Sequence, residues 1–382
     1  MAVPQGGRPE LELNQDLALS VLGEIMAWDM ERSRKEFAWL QLMSRFQYDG
    51  YGDFVAGVRF IESLAGWLQQ FSHEERAAAY QFVRTQLVYF NAAEIHHLIE
   101  SSYPEYVRPR IVREVAEMLG KPHYLVWSDP KASEHYRRLL RKCLFFGLSD
   151  GARIDVFRRS TTGIISNEQI LLATEIAQGK WQQLLEKLRA ALGEDNARFK
   201  LLYLMDDFVG TGTTLQGKLK RLWRDLSKAE AGQPSIVSTH FEKDWTVVVH
   251  LYITTHDMAS GGLQEKIAAL EKEAAGGEWF REIEYSCQLV LPDWIKVAQG
   301  NAGNFWPLIQ KYYNSGVETE HTRKGGGKDV RLGFGQCALP LVLEHNTPNN
   351  SIPLLWADVE PKDGQPRMRP LFRRRQRHTD LA

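Results

Sequence analysis

Leu201-Leu202-Tyr203-Leu204-Met205-Asp206-Asp207-Phe208-Val209-Gly210-Thr211-Gly212-Thr213-Thr214-Leu215 decides how this chain reads. An apolar run ends in two adjacent carboxylates, a short Gly/Thr loop follows, and a helical pattern begins. Such a run predicts a parallel strand over Leu201–Met205 with both faces covered by helices. Gly210 and Gly212 allow a tight turn and close approach of a ligand to the backbone. The N–H groups of Thr211 to Thr214, at the start of the next helix, suit a phosphate dianion. Thr211, Thr213 and Thr214 add hydroxyl donors. Asp206 and Asp207 fall at the carboxyl end of the strand, where open α/β sheets take their ligands. Carboxylates there suit ribose hydroxyls, which donate hydrogen bonds, and Mg²⁺, which prefers oxygen ligands. A plainer account makes the acid pair a helix cap. Two acids closing an apolar strand ahead of Thr-Gly-Thr-Thr are more than capping needs.

Outward from this motif the chain alternates strand and helix. Glu134–Arg141 reads as a short helix and Cys143–Leu148 as a buried strand. Asn167–Leu192 reads as a helix, Leu215–Leu226 as another, and Thr246–Thr254 as a β-branched strand. Leu263–Ala275 is a further helix, Ile283–Leu291 a fourth strand and Gln336–Leu343 a fifth. Strands separated by helices imply βαβ units. The fold class expected is therefore α/β, a mostly parallel sheet flanked by helices. An all-helical amino-terminal module precedes it, because apolar residues such as Leu17, Val21, Leu22 and Ile25 recur at helical spacing. Pro104 and Pro109 bracket a connection. The division expected is a disordered tail over 1–10, a helical module over 11–130 and an α/β domain over 131–382. Ser315–Asp329 carries three consecutive glycines among basic residues. It reads as a surface insertion, or else as a basic lid over an anionic substrate.

The 382 residues are comfortable for two domains, and 43% apolar with 25% charged residues is the balance of a soluble globular chain. A net charge of −1 implies no nucleic-acid or membrane partner through the whole-molecule field. No apolar stretch nears the ~20 residues that span a bilayer. Met1 to Glu10 lacks a basic segment followed by an apolar one, so no secretory signal is expected. Cys143, Cys287 and Cys337 are far apart in apolar runs and read as small hydrophobes, with the cytoplasm as the natural compartment. No metal-ligand spacing of Cys and His occurs.

The Asp206–Thr214 segment resembles the phosphoribosyl-pyrophosphate motif of type I phosphoribosyltransferases. There an apolar strand leads to two acids, two apolar residues and a small-Thr-Gly-x-Thr loop. Gly210 departs from the usual Thr, Ala or Ser, a change that leaves room for phosphate. The resemblance implies that Asp206 and Asp207 hold ribose hydroxyls, with Mg²⁺ brought near them by the ligand. It also implies that Gly210, Thr211, Gly212, Thr213 and Thr214 form the 5′-phosphate loop. In that family the loop after the first core strand binds pyrophosphate. Ser149, Asp150, Gly151, Arg153 and Arg158 occupy this position, although Arg158 and Arg159 also read as surface charges paired to nearby acids.

Two further polar clusters close strands. His256, within Thr255-His256-Asp257, could move a proton, or the segment is a plain strand-to-helix turn. Glu344, His345, Asn346, Asn349 and Asn350 follow the last strand and could recognise a base or manage a proton. Asn-Thr-Pro-Asn-Asn is equally good turn chemistry. With Trp356 beyond it, this region resembles phosphoribosyltransferase-like proteins of bacterial anti-phage gene neighbourhoods, some of them retron-associated. That implies an effector and a protein partner in a defence complex. The basic run from Arg367 to His378 reads as a solvated or docked tail, or as a nucleic-acid arm.

The function expected is a phosphoribosyltransferase-fold enzyme binding phosphoribosyl pyrophosphate or a nucleotide, with a nitrogen nucleophile or water attacking C1′. The alternative is a non-catalytic nucleotide or phosphoribosyl sensor. A third reading is a flavodoxin-like domain with no preference for phosphorylated ribose.

Overall fold

A computed structural model describes residues 10–54, 57–171, 176–229, 234–273, 280, 282–319, 329–362 and 364–374. The expected frayed segment up to residue 9, most of the glycine-rich loop (320–328) and the end of the basic tail (375–382) lie outside the described residues. The strands are β1 (Val88–Phe90), β2 (Cys143–Gly147), β3 (Ile170–Leu171), β4 (Phe199–Val209), β5 (Phe241–Thr255), β6 (Ile283–Leu291) and β7 (Leu341–Leu343). Contacts divide the chain into two compact units, Ala93–Asp293 and the pair Met1–Ala92 with Trp294–Ala382. The helical stretch is shared between the units, and described residues before Ala93 and after Asp293 together build one of them. Among the described residues no helix is long and apolar enough to cross a membrane.

The unit Ala93–Asp293 is a five-stranded, wholly parallel sheet in the order β3-β2-β4-β5-β6. The middles of β2, β4 and β5 are largely apolar because both faces are covered, whereas the edge strand β6 is mostly half-buried and carries Glu284, Ser286 and Gln288. On one face Leu144, Phe146, Leu202, Leu204, Val247 and Val249 pack with Leu184, Leu188, Leu215, Leu219, Leu222 and Ile267. These last come from the helices Gln178–Leu192, Thr213–Ser227 and Leu263–Glu273. The opposite face meets the helical run from Ala92–Ser102 to Arg108–Met118 through specific polar contacts. His250 bonds Ser102 Oγ at 3.2 Å and Ser286 Oγ at 2.8 Å, and Arg110 forks onto Glu284.

The chain passes from β2 outward to β3, then crosses back to lay β4 on the other side of β2. The direction of winding reverses there. Doubly wound sheets open a crevice outside the carboxyl ends at such a point, here between β2 and β4.

Several sequence expectations change in detail. Asn167–Leu192 is not one helix. Ile170 and Leu171 pair with Phe145 and Phe146 as an edge strand, and the α-helix begins at Gln178. The bracket of Pro104 and Pro109 is helical: the run from Ala92 to Met118 is unbroken, and the wider π turn Tyr103–Val107 between its two α segments accommodates the prolines. Gln336–Leu343 does not join the main sheet. Gly335, Gln336 and Ala338 adopt left-handed backbone angles, so extended structure starts only at Leu341.

The second unit pairs β1 with β7 in parallel, Val88 opposite Leu341. Val88–Phe90, inside the stretch expected to be all-helical, follows the helix His73–Thr85 as a strand. The core includes Phe60, Trp67, Phe82, Phe305, Leu355 and Phe372. Phe82 stacks on Phe305 with centroids 3.9 Å apart, and Phe372 stacks on Phe60 at 5.8 Å. The basic segment before the end of the described chain is therefore docked by Leu371 and Phe372, and Arg367 and Arg373 pair with Glu360 and Asp358.

Leu204 is fully buried at the centre of the parallel sheet. Leu204→Ala is expected to cost about 3 kcal/mol, read as a lowered urea midpoint of the unit's transition with an unchanged slope.

Candidate functional site

At the carboxyl end of the reversal, β2 finishes at Gly147 and Leu148 N–H still reaches Met205 O at 2.8 Å. An added Cβ at Gly147 would lie 3.2 Å from Ile154 Cβ, so glycine lets the following helix close on the strand end. Ser149 then leaves the sheet and meets the acid pair. Its hydroxyl donates to Asp206 Oδ1 at 2.5 Å and also lies 3.3 Å from Asp207 Oδ1.

β4 runs on to Val209, so the two acids belong to the strand rather than to a loop after it. Successive residues of a strand face opposite sides. Asp206 shares the face of Leu202 and Leu204, against the helix Thr213–Ser227, and Lys218 of that helix places Nζ 3.0 Å from Asp206 Oδ2. Asp206 is 4% exposed and Asp207 half-buried. Burial, the largest influence, pushes the Asp206 carboxyl up to about 6, while Lys218 and the Ser149 hydrogen bond oppose the rise and Asp207 adds to it.

The loop that follows is held from below by β5. Thr254 Oγ1 donates to Val209 O and Thr255 Oγ1 to Gly210 O, each at 2.9 Å. These bonds fix the two carbonyls inward. Gly212 takes φ +73° as the N-cap, and the first intrahelical bond runs from Gln216 N–H to Gly212 O. The N–H groups of Thr213, Thr214 and Leu215 therefore have no acceptor within the helix. The Thr213 and Thr214 side chains are exposed, and Thr211 Oγ1 lies 3.3 Å from Thr213 Oγ1. A Cβ at Gly212 would come within 2.7 Å of Lys266 Cδ, so the stem of this lysine crosses the loop. Exposed amides at a helix start, hydroxyls and two lysines make this corner suited to an anionic monoester.

The other expected residues divide. Asp150 is exposed and Gly151 half-buried in a short turn after Ser149, and Arg153 caps the next helix with φ +40°. Arg158 donates to Ile170 O at 2.9 Å and is built into the sheet edge, whereas Arg159 pairs with Asp155 on the surface. His256 follows β5 at the same end as the loop, with its exposed ring 3.9 Å from Asp293. Glu344, His345, Asn346 and Asn349 lie in the other compact unit. There the cluster builds a turn: Glu344 N–H bonds Phe90 O, Gly52 N–H bonds Glu344 O, and Phe334 N–H bonds Asn349 O. Asn350 Nδ2 donates to Phe334 O at 3.0 Å.

Sequence reading missed Lys218, Lys266 and the hydroxyl anchors Thr254 and Thr255. Lys218 had a signal. It falls three residues after Leu215 and four before Leu222, on the apolar stripe of its helix, where an unpaired cation would not belong. Lys266 and the two threonines come together only through the parallel register.

Ser149 and Lys218 each take one site on the two Asp206 oxygens, which leaves acceptor capacity for a hydroxyl but sets an ammonium where a cation would approach. Among the described residues no three His, Cys, Asp or Glu side chains cluster as a metal site. These residues do not fit a divalent cation bound directly by Asp206. A cavity of about 540 Å³, lined in part by Arg110, Glu114, Lys142, Lys200 and Glu242, lies at the opposite, amino end of the strands. Its cations are paired with acids, Lys142 with Glu242 and Arg110 with Glu114. Open parallel sheets take ligands at the other end, and the carboxyl ends of β2 and β4 are where Ser149, the two acids and the Gly/Thr loop come together.

A parallel sheet with an acid pair and a Gly/Thr helix-start loop at its reversal point is a phosphoribosyltransferase-type fold. The chain belongs to the PRTase-CE family, whose family model matches residues 64–374. No curated protein and no solved structure matches the chain.

The folded Asp206 carboxyl binds its proton more tightly than an ordinary aspartate of pKa 3.8. Between about pH 4 and pH 6 the folded chain holds a proton that the unfolded chain has released, so this group's contribution to stability falls as pH rises across that window. Asp206→Asn should flatten that part of the stability profile, measured by thermal melts at constant ionic strength.

Proposed function

We propose that the crevice between β2 and β4 binds a 5-phosphoribosyl group, from phosphoribosyl pyrophosphate or a nucleotide, and transfers it. The observation that supports this most directly is the convergence of Ser149, Asp206, Asp207 and the Thr211–Thr214 amides at one strand end. The helix-start amides and threonine hydroxyls hold the monoester. Asp207, with Asp206 beside it, accepts from the ribose hydroxyls. As the C1′–O bond loosens, positive charge grows on the ribose ring and the carboxylates favour it electrostatically. The pyrophosphate or base leaves, and a nitrogen nucleophile or water attacks C1′. His256, at the same end of β5, is the candidate to move the proton. Mg²⁺, expected from the resemblance, would be held by the ligand's own phosphate oxygens. The Ser149–Arg153 turn is the candidate for the leaving group. Glu344, His345, Asn346 and Asn349 take no part in this reading. An effector role in anti-phage defence, with a protein partner, rests on the resemblance of the carboxyl-terminal region.

The sensor reading draws on Lys218, which already neutralises Asp206 and reduces its pull on a developing ring cation. Both readings use the same site, so product decides between them. Enzyme and phosphoribosyl pyrophosphate with Mg²⁺ should release pyrophosphate. A melting-temperature rise without any release supports the sensor instead.

The double variant Asp206→Asn/Asp207→Asn tests the site itself. With phosphoribosyl pyrophosphate at 100 times its Kd, the unaltered protein should gain about 2.7 kcal/mol of stability. The variant should lose that gain and keep a cooperative melt without ligand. An undiminished gain would reject the acid pair as ribose ligands.

A further inference from the structure

Neither the sheet nor the phosphate loop requires a lysine at position 218. The helix Thr213–Ser227 buries Leu215, Leu219, Leu222 and Leu226. A charge next to that stripe is unfavourable unless a partner meets it. The partner is Asp206, 4% exposed, whose Oδ2 lies 3.0 Å from Nζ, and the Lys218 side chain keeps only 23% of its surface. Helical side chains lean toward the helix amino terminus. The stem of Lys218 therefore runs back toward the loop and delivers its ammonium to the acid pair. Ser149 Oγ covers the other oxygen of Asp206 at 2.5 Å. The nearest positive charge to this carboxylate is thus covalently attached to the fold and cannot dissociate. A divalent cation seated on Asp206 would have to expel the ammonium or stand against it.

We infer that Lys218 supplies the positive charge that a divalent cation would otherwise bring to the ribose-binding carboxylates, so that a ribose 5-phosphate group is held there without metal. This rests on the phosphoribosyl reading of the same site. An ammonium has three donors, of which Asp206 takes one. Another is of the right chemistry for a ribose oxygen. In this scheme Lys218 is a ligand-binding residue that also keeps Asp206 aligned and charge-balanced.

Ribose 5-phosphate is the probe, because it carries the monoester and the vicinal hydroxyls but no pyrophosphate that would bring metal of its own. Its affinity for the full-length protein is measured by titration calorimetry in EDTA and in Mg²⁺. The unaltered protein should differ by less than about threefold between the two buffers. Lys218→Met should bind at least about tenfold more weakly in EDTA, through loss of a charge-assisted contact, and should regain affinity in Mg²⁺. Lys218→Arg, which keeps the charge, should behave as the unaltered protein does. Binding by the unaltered protein that is about tenfold tighter in Mg²⁺ overturns the inference and leaves the site reading intact. Equal affinity of Lys218→Met and the unaltered protein in EDTA also overturns it. No binding in either buffer rejects the site reading itself, and the inference with it. Should Lys218→Met fail to give a cooperative melt, the two-buffer comparison and Lys218→Arg still decide.

Discussion

Burial of the Asp206 carboxylate is the constraint around which the parallel-sheet unit is arranged. A carboxylate 4% exposed is tolerable only with donors on its oxygens. They come from the exit of β2, as Ser149, and from the helix after β4, as Lys218. Three elements are thereby tied at the point where the sheet reverses its winding. Removing one partner would leave a buried charge short of a donor, so the arrangement behaves as a unit. Thr254 and Thr255 extend it to β5 by holding the Val209 and Gly210 carbonyls. The loop amides keep their direction because the carbonyls beneath them are fixed.

Both faces of that sheet are buried by apolar residues, Leu202 and Leu204 on one, Phe145 and Tyr203 on the other. The second face adds polar pairs that align the covering helices. His250, fully buried, has a pKa lowered to about 3 by burial alone and stays neutral, which lets its ring bond the hydroxyls of Ser102 and Ser286. Ser102 also receives Gln288 Nε2 at 2.9 Å. Such a network tolerates few alternative registers, because a shifted helix would leave buried polar atoms without partners. Apolar packing supplies most of the stability here and the polar pairs supply the alignment.

The other unit shows why local pattern misleads. Leu87 to Phe90 continues an apolar helix by spacing alone, yet Val88, Tyr89 and Phe90 pair with Leu341, Val342 and Leu343 from the far end of the chain. The polar residues after β7 look like a recognition cluster in the sequence. Folded, Glu344 and Asn350 are buried and hydrogen-bonded to backbone at the strand's end. Thr347 meets Tyr51 there at 3.0 Å. A segment remote in sequence supplies the partners, so no local reading could separate a turn from a binding site.

What the sequence alone determined was the parallel α/β class and the acid–glycine–threonine motif. Both are local: strands covered on two faces carry long apolar runs, and this helix-start loop has glycine where φ turns positive, at Gly212. The same locality makes Asp206, Asp207 and Thr211–Thr214 legible as one group. Tertiary structure decided which residues join them. Ser149 reaches the acids because β2 and β4 are neighbours, Lys218 because its helix packs on the Asp206 face, and Lys266 because its side chain, from the helix Leu263–Glu273, crosses Gly212. It also uses Arg158 at the sheet edge, where it donates to Ile170 O. Strand order and helix packing are long-range outcomes of burying apolar surface, and a pattern of single residues does not carry them.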